Sequence, residues 1–218
     1  MTTFAILPIK RFKIAKQRLS SDVERGTREA LVEAMVTDVL VALRCCLLVD
    51  RTLVVTDDPS AESIARGYDA ETVLDPGAPS HSTAALVGIA EATKLGAQRV
   101  LLVAGDCPTL DPKEIDGLLA RNMTPPAVWV MPDRHGTGTN GLLLSPPDVM
   151  EPSFGSGSCE RHLKAATAVG ASVELVEVRS MALDVDTVAD LEAVRKAVAE
   201  SRWGAAHTRG MLNRLARG

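Results

Sequence analysis

Arg99-Val-Leu-Leu-Val-Ala-Gly-Asp-Cys-Pro-Thr-Leu110 is the stretch from which the fold can be read. Its first half, Arg99–Ala104, is apolar without polar alternation, which suits a strand buried on both faces in the middle of a parallel sheet. Its second half breaks at Gly105, sets Asp106 at the strand's mouth and turns at Pro108. Asp111-Pro112 then opens a helix over Pro112–Arg121, with proline in the first turn. A strand that ends in a short polar turn and feeds a helix is the repeating unit of an α/β sheet.

The same alternation extends in both directions. Upstream, Phe4–Ile9 reads as a strand, and Leu31, Met35, Val36, Val39 and Leu40 recur at helical spacing within Ser21–Arg44. Arg51–Thr56 is a β-branched strand, Ala61–Arg66 a short helix and Glu71–Leu74 a further strand. A loop, Asp75-Pro-Gly-Ala-Pro79, leads to an alanine-rich helix at Thr83–Leu95. Downstream, strands are expected at Ala127–Met131, Gly141–Leu144 and Val173–Val178, and helices at Ser158–Val169 and Ala189–Glu200.

The pattern predicts an α/β chain: one domain over residues 1–201 with a doubly wound, mostly parallel, Rossmann-like sheet. The 218 residues are enough to bury about 70% of their surface in one core. Residues 202–218, with Arg202, Arg209, Arg214 and Arg217, read as a basic solvated tail rather than a docking arm.

Composition narrows the function. A net charge of −4 argues against a general nucleic-acid binder, and 3% aromatic residues against a base-stacking platform. No apolar run has membrane-spanning length and no signal segment opens the chain, so the expected setting is the cytosol. Cys45, Cys46, Cys107 and Cys159 form no CxxC pair, which fits reduced thiols. His81, His135, His162 and His207 show no metal spacing, and no G-x-S-x-G elbow is present.

Ligands in such sheets bind outside the carboxyl ends of the strands, and four constellations fall there. The first is Lys10-Arg-Phe-Lys13-Ile-Ala-Lys16-Gln-Arg18 after the first strand, five basic residues suited to a polyphosphate or, more plainly, to solvent. The second is Asp106, a carboxylate at a buried strand end where a divalent cation would neutralise it; Asp111 is the better helix cap. The third is Asp184-Val-Asp186-Thr187, whose alternate residues can face one pocket. Metal binding is assigned to Asp184 and helix capping to the Asp186-Thr187 end. The fourth pairs Gly136-Thr-Gly-Thr139-Asn140 with Phe154-Gly155-Ser-Gly157-Ser158. There free amides at a helix N-terminus and the Ser158 hydroxyl can hold an anion, although such stretches are also ordinary turns.

On these residues the chain resembles the guanylyltransferases of coenzyme F-420 biosynthesis, which act on phosphoenolpyruvate or 2-phospho-L-lactate. Their fold is that of the glycosyltransferase-A-like nucleotidyltransferases, which includes the nucleotide-diphospho-sugar transferases. The resemblance runs over nearly the whole chain: the basic loop, Gly105-Asp106-Cys-Pro108, Asp133-Arg-His-Gly-Thr-Gly-Thr139, Phe154-Gly155 with Ser158, and Asp184-Val-Asp186-Thr187. It implies transfer of GMP from GTP to a three-carbon phospho-acid, with phosphoenolpyruvate favoured over 2-phospho-L-lactate and 3-phosphoglycerate. It implies Mg²⁺ on Asp106 and Asp184, Lys10 and Lys16 on phosphates with Arg18 beside them, and Thr139, Gly155 and Ser158 on the phospho-acid. The segment near Thr83 would meet the nucleotide; relatives often carry Leu-Asn where this chain has His81-Ser82. A homodimer and handover of product to the next enzyme are further implications. The rival readings are a molybdenum-cofactor or sugar-phosphate nucleotidyltransferase, whose first loop is usually glycine-rich, and a non-catalytic nucleotide-binding module.

Overall fold

The computed structural model describes residues 1–21, 23–77, 80–200 and 204–216. Strands β1 (Thr3–Pro8), β2 (Arg51–Thr56), β3 (Glu71–Leu74), β4 (Arg99–Val103), β5 (Ala127–Pro132), β6 (Thr139–Ser145) and β7 (Ser172–Leu175) form one sheet. Their order is β3-β2-β1-β4-β6-β5-β7, and only β6 runs antiparallel to its neighbours. The mostly parallel α/β reading therefore holds.

The helices are α1 (Arg25–Arg44), α2 (Pro59–Gly67), α3 (His81–Lys94), α4 (Pro112–Leu119), α5 (Ser158–Ala168), α6 (Val188–Glu200) and α7 (Ala206–Leu215). Strand geometry sends alternate side chains to opposite faces, and the central strands are apolar on both. Ala5 and Leu7 of β1, with Leu101 and Val103 of β4, face a core shared with α1 and α4. Phe4 and Ile6, with Val100 and Leu102, face a second core under α3 and α5. Two covered faces explain why β4 carries no polar alternation.

Antiparallel β6 matters most for the site. Val103 pairs with Gly141, and the Ala104 amide donates to the Asn140 carbonyl at 2.9 Å. The amino end of β6 thus lies beside the carboxyl end of β4, bringing Thr139 and Asn140 next to Gly105-Asp106. Among the described residues, no helix is long and apolar enough to cross a membrane.

The expectation of a solvated tail is corrected. Arg202 and Arg217 lie outside the described residues, but residues 206–215 form α7, which packs on α1 with Leu212 buried. Burying one leucine contributes about 1.5–3 kcal/mol. The helix entrance is anchored by buried Asp38 of α1, whose carboxylate accepts from the His207 amide (3.1 Å) and the Thr208 amide (2.8 Å). The apolar positions Met211, Leu212 and Leu215 are too few to mark a helix without this outside cap. Asp38→Ala is expected to cost about 1–2 kcal/mol, read as a lower urea midpoint with unchanged slope. An unmoved midpoint would show that Asp38 does not anchor α7.

Candidate active site

The carboxyl ends of β1 and β4, the amino end of β6 and the start of α5 surround one cavity of about 970 Å³. Lys10, Lys16, Arg18, Asp106, Thr139, Gly155, Ser158 and Asp184 all line it, so eight of the nine expected site residues meet there. The ninth, Thr83, is placed differently. Helix α3 starts at His81, with the Ser80 hydroxyl capping the Thr83 amide (3.1 Å) and lying 2.9 Å from the Thr83 hydroxyl. Ser80 and His81 are the residues of this turn that line the cavity, and Thr83 does not line it.

The basic loop is not formless. It folds into two short 3-10 turns, Phe12–Ile14 and Gln17–Leu19, anchored by the buried side chains of Phe12 and Leu19. Asp58 pins its start by accepting from the Phe12 amide at 2.9 Å. Between the turns Lys16 adopts a left-handed backbone (φ 54°), unusual for a side chain with a Cβ and costing about 1–2 kcal/mol. That conformation sends its ammonium inward, onto the carboxylates of Asp106 and Asp186, the latter at 2.8 Å. Burial alone would lower the Lys16 pKa, but the two carboxylates outweigh it and hold the ammonium above the ordinary lysine range. Lys10 is fixed by Asp75 at 2.6 Å, a buried carboxylate just beyond β3. Mostly exposed Arg18 approaches Asp186 at 3.6 Å.

Asp106, Asp184 and Asp186 each offer a carboxylate oxygen, and these atoms lie within 4.8 Å of one another. Asn140 orients Asp184 by donating to it at 3.1 Å, while also donating to the Met181 carbonyl. Burial and the neighbouring Asp106 carboxylate push the Asp184 carboxyl above its usual range. Three carboxylates against the Lys16 ammonium and the mostly exposed Arg18 guanidinium leave a surplus of negative charge in a partly buried place. A divalent cation held by oxygen ligands would relieve that surplus, so the residues fit a metal.

The capping expected of the Asp186-Thr187 end holds for Thr187 and is corrected for Asp186. Asp186 points into the carboxylate cluster, and Thr187 caps α6 in partnership with Asp190. The Thr187 hydroxyl accepts from the Asp190 amide (3.3 Å), and Asp190 accepts from the Thr187 amide (2.7 Å) and the Asp186 amide (3.1 Å). This reciprocal box releases Asp186 for the site. Against its burial, the bonds from Thr187 and Asp186, with the Arg134 guanidinium nearby, hold Asp190 below the usual carboxylate range.

The anion site at α5 also differs from expectation. Gly155 (φ 107°) and Gly157 (φ 69°) take left-handed conformations that fold the loop back on itself. The Ser158 amide then donates to the Gly155 carbonyl and the Cys159 amide to the Thr137 carbonyl. Two of the first amides of the helix are engaged in this way, and the wall offers hydroxyls as well: Ser158 Oγ donates to Thr139 Oγ1 at 3.2 Å. His162, which histidine spacing did not single out, lies 3.0 Å from the same Thr139 oxygen. Its place four residues after Ser158 puts both on one helix face, a signal present in the sequence.

Comparison with known proteins bears on what this cavity does. The family described as "Guanylyl transferase CofC like" matches residues 3–196. A phosphoenolpyruvate guanylyltransferase of Conexibacter woesei is 54% identical over 100% of this chain and 98% of its own length. A 3-phospho-D-glycerate guanylyltransferase of Phenylobacterium zucineum is 34% identical, covering 88% of this chain and 89% of its own. Among solved structures, one named for a nucleotide-diphospho-sugar transferase of Desulfovibrio desulfuricans G20 aligns with a TM-score of 0.77. It covers 100% of this chain and 98% of that one at 17% identity, a likeness of fold alone.

Proposed function

The chain belongs to the CofC-like guanylyl transferase family, and from that premise we propose that it joins GMP from GTP to phosphoenolpyruvate in coenzyme F-420 biosynthesis. The observation that carries the reading is the meeting of Asp106, Asp184 and Asp186, the first and last of them paired with the Lys16 ammonium, in a cavity that the Thr139 and Ser158 hydroxyls also line.

In this reading Asp106 and Asp184, joined by Asp186, hold Mg²⁺. Bound there, Mg²⁺ would draw charge from the α-phosphate and from the pyrophosphate that leaves. Lys10 and Lys16 meet the phosphates, with Arg18 at the entrance, and the first turn of α3 borders the nucleotide through Ser80 and His81. Thr139, Ser158 and the Gly155 loop hold the acceptor. An oxygen of the acceptor phosphate forms a bond to the α-phosphorus as the bond to the β-phosphate oxygen breaks. The attacking group is already an anion at neutral pH, so no protein base or nucleophile is needed. Position and electrostatics supply the catalysis. The Cys107 thiol beneath Asp106 suits that account: burial and the Asp106 carboxylate push its pKa far up, which keeps it protonated and inert.

The product's diphosphate linkage is activated, which suits it to handover to the enzyme that consumes it. The substrates are soluble metabolites, and a cytosolic homodimer belongs to the same reading. The test is to supply each NTP with Mg²⁺ and, in turn, phosphoenolpyruvate, 2-phospho-L-lactate and 3-phosphoglycerate, and to follow pyrophosphate. GTP with phosphoenolpyruvate is expected to give the highest kcat/KM. Faster turnover with 3-phosphoglycerate would move the acceptor assignment, and faster turnover with another NTP would move the donor.

A further inference from the structure

We propose that His162 is a positioning residue for the acceptor: it fixes Thr139 as a hydrogen-bond donor toward the phospho-acid. This rests on the reading above, in which Thr139 and Ser158 hold that acid.

The ring's tautomer follows from its neighbours. His162 is fully buried, and its Nε2 lies 2.8 Å from the Ser153 backbone amide. An amide can only donate, so Nε2 carries the accepting lone pair and the ring hydrogen sits on Nδ1. Nδ1 is 3.0 Å from Thr139 Oγ1 and therefore donates to it. Burial, with a smaller push from the Arg161 guanidinium, lowers the imidazole pKa to about 4, so the neutral ring persists at neutral pH.

The Thr139 oxygen thus receives two hydrogen bonds, one from His162 and one from Ser158 at 3.2 Å. A hydroxyl has two lone pairs and one proton, and what Thr139 retains to give is the proton. Ionised carboxylate and phosphate groups only accept hydrogen bonds, so a donor is what they require on this wall. The same ring also touches the segment before Gly155. Its bond to Ser153 and its edge-on contact with Phe154 (centroids 5.2 Å apart, interplanar angle 74°) steady the segment that leads into Gly155.

Two amide substitutions separate these contacts. In His162→Asn the shorter side chain can place an N–H near the Nδ1 position and keep the Thr139 contact. In His162→Gln the longer one can reach the Nε2 position and keep the Ser153 contact. KM for GTP and for phosphoenolpyruvate is measured separately by pyrophosphate release from the full chain. His162→Asn is expected to stay within about threefold of the parent for phosphoenolpyruvate, and His162→Gln to rise about tenfold, with KM for GTP unmoved in both. Each variant loses one buried bond, so a purely structural role predicts equal behaviour. Equal shifts, or parallel shifts for GTP, would overturn the proposal. Nitrogen NMR of the unaltered protein gives a check that needs no variant: Nδ1 should be protonated and Nε2 bare, and the reverse tautomer refutes the inference. Thr139→Val distinguishes the two levels. If it leaves KM for phosphoenolpyruvate unchanged, the acceptor reading itself fails; if it raises it while the two His162 variants match, only the positioning role fails.

Discussion

Asp106→Asn is expected to reduce Mg²⁺-dependent pyrophosphate release by roughly a thousandfold or more, equivalent to about 4 kcal/mol of transition-state stabilisation. The substitution keeps the side chain's shape and removes its charge. Asp106 sits where β4 ends, paired with Lys16 and with a carboxylate oxygen within 4.8 Å of those of Asp184 and Asp186, so its charge bears on the whole cluster. An amide is a weak ligand for a hard cation and cannot pair with the Lys16 ammonium. The fold is expected to survive, because the Asp106 side chain is partly exposed at the cavity wall and the β4 ladder is bonded through its backbone. Three measurements check this: turnover, its Mg²⁺ dependence, and a urea midpoint close to the parent's. Turnover within tenfold of the parent, with the same Mg²⁺ dependence, would remove Asp106 from the metal site. Asp186→Asn belongs in the same series. A loss of about tenfold is expected if its carboxylate joins the cation, whereas a helix cap alone would change stability and leave kcat unmoved.

How much of this was legible in the sequence depends on the range of the interaction. Strand β4 announced itself because both of its faces are covered, and uninterrupted apolar residues are the local trace of that burial. Asp106 was legible because a charge at the end of such a strand needs a partner. Asp186 was misread because Asp186-Thr187 before a helix has the local form of a cap. What decides the matter is Asp190, one turn later, which closes the box with Thr187 and leaves Asp186 to turn toward Lys16. Helix α7 was missed for a similar reason: its cap is supplied by Asp38, far away in the chain. Metal-ligand spacing does not reveal His162, because its work is to bond one hydroxyl and one backbone amide. Partners brought together only by packing leave no mark in a local window.

Lys16 carries the second large effect, and here two observables should move in opposite directions. Lys16→Met keeps the length of the side chain and deletes the ammonium that lies on Asp106 and Asp186. If that ammonium stabilises the phosphates in transfer, kcat should fall by about a hundredfold to a thousandfold, or about 3–4 kcal/mol. Without it the three carboxylates repel one another with only the mostly exposed Arg18 left against them, so the cation-free protein should be less stable than the parent. The discount for solvent is large at Asp186, whose side chain is 46% exposed, and smaller at Asp106, at 23%. The same loss of positive charge should make the cluster bind Mg²⁺ more tightly, so added Mg²⁺ should raise the variant's melting temperature more than the parent's. Tighter cation binding with crippled turnover is the signature of a lysine whose task is to meet phosphate beside a metal. A lysine that merely braced the loop would lose stability and turnover together, and Mg²⁺ would restore neither. Observation of that joint loss would return Lys16 to a structural role and leave the phosphates to Lys10 and Arg18.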